Sequence, residues 1–154
     1  EALPPAVPIT PSFLLNRALA SSLDEADLPY RIGAVYTTDD RNWELSIQRT
    51  REHLRVSRSI AVDMESATVA ANGFRYRIPH ATLLCVSDKP LHGQPKLPAA
   101  AKAFYDLTKK QHLSVATRAI EAIKHEHPHG LPNSDIRAPE ESSLEGPDGD
   151  EEGT

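Results

Sequence analysis

The chain has 154 residues, of which 39% are hydrophobic and 25% charged, the make-up of one ordinary globular domain. No run approaches the roughly 18 consecutive apolar residues that a membrane span needs, and no basic segment leading into an apolar stretch marks a secretory signal. The net charge of −5 belongs to one end: seven acids and no Lys or Arg lie between Ala138 and Thr154, which leaves 15 acids against 17 basic residues elsewhere. That body carries no basic stripe with interleaved aromatics, so a nucleic-acid partner has little support.

The elements follow in chain order. Residues 1–12 hold four prolines and read as an extended entry, because proline cannot donate to a ladder and restricts the residue before it. A first helix is expected over Phe13–Leu23, then a loop over "DEADLPY". "RIGAVYTT" (31–38) reads as a strand, β-branched and aromatic and uncharged after Arg31. "LSIQRTREHLRVS" is a short helix or an irregular crossover. "SIAVDM" (59–64) is a second strand. "ESATVAANGFRYR" is a helix with a small-residue face at Ala67, Ala70 and Ala71 and with Gly73 near its end. "ATLLCVS" (81–87) reads as a third strand, apolar throughout as a strand covered on both faces should be. Its cysteine, Cys85, is the only one in the chain. It reads as a small buried core residue, with no internal disulfide possible, in keeping with a reducing cytoplasm.

After the loop "DKPLHGQPKLP", Pro98 opens the longest helix. Ala101, Phe104, Leu107, Val115, Ala119 and Ile123 mark one face of it, interrupted by Gln111. The order strand–helix–strand–helix implies parallel pairing with right-handed crossovers. Residues 1–124 are therefore expected to form one α/β unit, and residues 125–154, polar and finally acidic, a disordered tail. Three histidines alternate in "HEHPH", but no Cys or carboxylate framework joins them, so a solvated tail is favoured over a metal site. Three legible strands make a small parallel sheet with uncovered faces and edges. The chain also opens on Glu1 and not on Met. Either more sheet lies outside this segment or partners cover these faces, and the missing initiator methionine favours the first.

Polar clusters follow all three strands: "TTDDRNW", "DMES" and "SDKPLHG". In an open α/β sheet, ligands bind outside the carboxyl ends of the strands, so the clusters are expected to meet in one crevice. No metal-ligand spacing and no Gly-rich phosphate loop is present among them. Singly, each residue has a structural explanation. Asp63 or Glu65 can cap a helix, Asp88 can cap a loop, and Trp43 can be core. Together, carboxylates, a thioether and an aromatic ring at three strand ends favour a binding or catalytic site.

"VDMESA", "LLCVSDKPLHG" and "TTDDRNWE" resemble the C-terminal catalytic region of the AMP nucleosidases, within the purine nucleoside phosphorylase superfamily. The likeness runs from about Leu3 to about Ile123. It implies a three-layer α/β sandwich of the nucleoside phosphorylase type, present here as an incomplete C-terminal portion and normally oligomeric. It further implies hydrolysis of AMP to adenine and ribose 5-phosphate, with no cofactor or metal. By the same resemblance Glu65 accepts hydrogen bonds from the ribose diol, and Met64 packs on the sugar face. Asp88 donates a proton to the departing adenine, and Trp43 stacks on the base. Asp63 is expected only to orient the turn or the helix start. The water-activating acid and the main phosphate ligands are expected outside this chain, with Arg41 or His92 as minor phosphate candidates. The segment alone is therefore expected to be inactive. Two alternatives stay open: another branch of the superfamily, acting on nucleosides or thioadenosines, and a non-catalytic purine-binding remnant.

Overall fold

A computed structural model describes residues 8–87, 89 and 98–131, with backbone alone at 44, 98–101 and 103. The order of elements is α1 (Phe13–Glu25), β1 (Val35–Thr37), a 3-10 turn (Trp43–Ser46), α2 (Ile47–Ser57), β2 (Ala61–Asp63), α3 (Ser66–Tyr76) and α4 (Pro98–Glu126).

β1 and β2 pair in parallel, with Val35 opposite Ala61, Tyr36 opposite Val62 and Thr37 opposite Asp63. The ladder extends one step at each end. Ile60 N–H donates to Ala34 O at 2.9 Å, and Thr38 N–H donates to Asp63 O at 2.9 Å. A parallel pair cannot be joined by a tight turn, and here the connection is the 3-10 turn and α2. The Tyr36 ring packs on the His53 ring of that helix at 4.6 Å between centroids. The strands are shorter than the sequence implies: of 31–38 only Val35–Thr37 pair, and of 59–64 only Ala61–Asp63.

Three helices end by one device. Asp27, Arg58 and Arg77 adopt left-handed backbone with φ of 51°, 53° and 54°. The next residue's N–H then returns to a carbonyl five positions back: Leu28 to Leu23, Ser59 to Leu54, and Ile78 to Gly73. These are the six-to-one bonds that satisfy the last carbonyls of a helix. Gly73 lies near the end of α3, as the sequence suggests, within the last turn and buried. Its role is close approach: a Cβ there would stand 2.5 Å from Nδ1 of His80. The His80 carbonyl in turn accepts the Ser12 N–H at 2.8 Å, which ties the entry of α1 to the segment after α3.

The buried apolar centre lies between α1 and α4. Ala18, Ala119 and Ile123 form it, with Leu14, Leu15, Leu19 and Leu131 packed around them. An Arg17–Glu126 ion pair at 2.8 Å closes its rim. The expected apolar face of α4 is half realised. Val115, Ala119 and Ile123 are buried, but Leu107 is 78% exposed.

The expected third strand is corrected. Residues 81–87 form no ladder and are held instead by α4, where His112 Nε2 lies 3.0 Å from Leu83 O and Nδ1 lies 3.2 Å from Cys85 Sγ. A carbonyl only accepts, so Nε2 carries the proton and Nδ1 takes the thiol's. Cys85 is exposed, not core, because no neighbouring strand covers this segment among the described residues. Partial burial nonetheless pushes its thiol pKa up, which keeps the S–H as donor. The predicted tail beyond Leu131 lies outside the described residues, and α4 itself continues through His125 to Glu126. Among the described residues no helix is long and apolar enough to cross a membrane.

Candidate active site

Because β1 and β2 are parallel, their carboxyl ends lie side by side. The loop that begins at Thr38 and the turn that begins at Met64 therefore leave the sheet from one edge. Each is built from local hydrogen bonds of short polar side chains. Thr38, itself buried, accepts the Asp40 N–H on Oγ1 at 3.1 Å. Asp40 Oδ1 accepts the Asn42 N–H at 2.8 Å. These successive side-chain turns carry the backbone to Trp43, which is half-buried and opens the 3-10 turn.

On the second strand, Asp63 divides its carboxylate. Oδ1 accepts the Thr37 hydroxyl at 2.6 Å, and Oδ2 accepts the Ser66 N–H at 2.9 Å. The latter satisfies one of the free donors at the start of α3. Asp63 thus orients the helix start, as the sequence suggests. Glu65 follows at the N-cap, exposed, and its backbone carbonyl accepts the first helical bonds from Thr68 and Val69. Its Oε2 accepts the Met64 N–H at 3.2 Å. Met64 is 39% exposed.

The first two polar clusters are therefore brought together. The third is only partly in view, since Asp88 and His92 lie outside the described residues. Sequence reasoning missed Thr37 and Ser66. Thr37 Oγ1 lies 3.0 Å from Ser66 Oγ and accepts the Ala67 N–H at 3.1 Å, so it joins both strand ends to α3. A double threonine ending a strand, opposite an acid three residues before a serine, is the signal that could have pointed there. Among the described residues, no three His, Cys, Asp or Glu side chains are grouped to hold a metal ion.

Polar residues gathered outside the carboxyl ends of parallel strands define an α/β unit of the open-sheet class, the arrangement in which ligands bind at that edge. Within that class the relationship is specific. Residues 1–121 match the family described as the Phosphorylase superfamily, and the chain belongs to it. It is 47% identical over 132 residues to AMP nucleosidase of Escherichia coli strain K12, covering 80% of this chain and 27% of that protein. The match to AMP nucleosidase of Escherichia coli O157:H7 has the same values. The crystal structure of AMP nucleosidase from Bacteroides thetaiotaomicron VPI-5482 superposes with a TM-score of 0.65 at 31% identity, over 82% of this chain and 47% of that one. The chain thus spans about a quarter of the curated relatives it matches. The α/β fold of the superfamily is present in part, as helices around a small parallel sheet.

Proposed function

We propose that this chain is part of an AMP nucleosidase, which hydrolyses the N-glycosidic bond of AMP to give adenine and ribose 5-phosphate. The reading is supported by the 47% identity to AMP nucleosidase. A single geometric observation carries the site: Glu65 stands exposed at the N-terminus of α3, on the edge shared by both strand ends.

The roles follow from chemistry. A ribose diol presents two hydroxyl donors, and a carboxylate has two oxygens and no proton, so Glu65 matches it bidentately. Its charge also favours the cationic character that the sugar gains as the glycosidic bond lengthens. Met64, next to it and partly exposed, offers a polarisable side chain to the sugar face. Adenine leaves poorly as an anion, so a proton must reach the base. Asp88 is the acid assigned to that step, and it needs a raised pKa to hold its proton near neutrality. Trp43 is the ring assigned to stack on adenine. The reaction needs no cofactor. The protein is read as a cytoplasmic homo-oligomer, with the water-activating acid and the phosphate ligands supplied by residues other than these.

Product analysis with AMP, adenosine and methylthioadenosine on the whole protein tests the assignment. Adenine and ribose 5-phosphate from AMP alone are the expected products. Glu65→Gln should lose roughly 2–4 kcal/mol of transition-state stabilisation, the scale of one electrostatic contact. Asp88→Asn should lower turnover by about 10²-fold or more, the scale of a general acid. Preference for a nucleoside over AMP, or a Glu65→Gln enzyme within about threefold of the parent, would refute it.

A further inference from the structure

The Met64–Glu65 turn is bracketed by bonds that converge on one hydroxyl from the neighbouring strand. Before the turn, Asp63 accepts the Thr37 hydroxyl proton at 2.6 Å. After it, Ser66 Oγ lies 3.0 Å from the same oxygen and the Ala67 N–H donates to it at 3.1 Å. A hydroxyl has one proton and two lone pairs. The proton goes to the Asp63 carboxylate, so Ser66 Oγ–H must be a donor to Thr37, and every valence of that oxygen is used. Asp63 Oδ2 closes the ring on the Ser66 N–H at 2.9 Å. The two residues between Asp63 and Ser66 cannot rotate as a unit without breaking one of these bonds. The shortest of them is an O–H···O⁻ contact of the strong, charge-assisted kind.

We propose that Thr37 is a positioning residue: through Asp63 and Ser66 its hydroxyl fixes the backbone of Met64 and Glu65, so that the Glu65 carboxylate meets the ribose diol in register. The proposal rests on the reading of Glu65 as the diol acceptor. It adds a residue on a different strand that never touches the substrate. Displacing a reacting or gripping group by about 1 Å is enough to cost one to two orders of magnitude in rate. Thr37 is suited to the task because it is in the last register pair, opposite Asp63, and the next ladder bond, Thr38 N–H to Asp63 O, holds the strand end in place.

The test compares kcat/KM for AMP with that for 2′-deoxy-AMP in the whole protein. The ratio of the two reports diol recognition and is insensitive to a general loss of folded enzyme. Thr37→Val keeps the shape and removes the hydroxyl. It should lower kcat/KM for AMP by about tenfold or more, mainly through kcat, and lower that for 2′-deoxy-AMP by clearly less, because that substrate keeps only one of the two hydroxyls that Glu65 grips, so that the ratio falls. Thr37→Ser, which keeps the hydroxyl, should restore the ratio. Glu65→Gln is the reference and should collapse it too, and the double variant should lose no more than Glu65→Gln alone, because the two residues act as a unit. If Glu65→Gln collapses the ratio and Thr37→Val does not, Thr37 has no positioning role while the diol reading stands. If Thr37→Val lowers both substrates equally, its role is structural only and the proposal fails. If Glu65→Gln keeps the ratio, the diol reading fails and the proposal with it. Should Thr37→Val not fold, Ser66→Ala removes one arm of the same network. An unchanged ratio in that variant overturns the proposal.

Discussion

Between α1 and α4, Ala18, Ala119 and Ile123 close an apolar seam. At the ends of β1 and β2, Thr37, Asp63 and Ser66 close a polar one. The seam hides its side chains: Ala119 is 2% exposed. No residue of either strand is buried, and all six are intermediate. The helix pair gains stability from area removed from water, which needs only complementary shape. The strand ends gain definition from directional bonds, each modest in net energy but costly to leave unmade. Stability and site geometry are thus drawn from different places in one small unit. A substitution can damage either one without the other.

The largest effect is expected in the apolar seam. Ile123→Ala removes a buried branched side chain beside Ala18 and Ala119 and should cost about 3 kcal/mol of unfolding free energy, measured in urea. The bonds around Thr37 involve no residue of that seam, so the ratio of AMP to 2′-deoxy-AMP efficiency should not move. A change in that ratio would merge the two regions that the comparison separates.

An intermediate effect is expected at Gly73→Ala, which sits between them. Alanine favours the helix by about 1 kcal/mol over glycine. Against this, the added Cβ would lie 2.5 Å from His80 Nδ1, 2.9 Å from Cγ and 3.1 Å from its Cβ. Those atoms include the root of the side chain, so the ring cannot swing clear cheaply. Overpacking of about 1–3 kcal/mol should win, giving a net loss of roughly 1 kcal/mol. Because His80 O holds the Ser12 N–H, amide exchange at Ser12 should also quicken. A stabilised Gly73→Ala protein would mean that His80 has room to move.

The smallest effect is expected on the exposed face of α2. Arg55 donates to both oxygens of Glu52, at 3.0 and 2.7 Å, and this contact holds the Glu52 pKa below its usual value. A carboxyl whose pKa is lowered by folding stabilises the native state above its unfolded pKa. That stabilisation fades as pH falls through the lower folded value. Solvent screens the pair, so Glu52→Gln should shift the melting temperature by about one degree or less at pH 7, and by less still in acid, where the parent has lost the contact as well. A larger shift would show that surface charge carries stability that the comparison assigns to the seam.

The sequence by itself determined α1, α3, α4 and the two paired strands. Their signals are local: periodic apolar positions, Pro98 at a helix start, and β-branched runs ended by polar clusters. It left Asp63 or Glu65 as the acid that serves the helix start, and the Ser66 N–H bond to Asp63 decides for Asp63. The edge where Glu65 stands was legible too, because parallel strands put their carboxyl ends on one side. Tertiary structure decided what depends on a partner far along the chain. Residues 81–87 have the composition of a covered strand, but a ladder needs a neighbour, and α4 holds them through His112 instead. Cys85 is therefore exposed despite its apolar surroundings in sequence. Gly73 was legible as a residue near the helix end, but only the fold brings His80 against it. Thr37 stood in the sequence only as the first letter of a polar cluster, with no role of its own. Its place at the centre of the site's hydrogen bonds comes from the register that sets it opposite Asp63. Register is fixed by pairing and packing across the whole unit, not by the residues on either side.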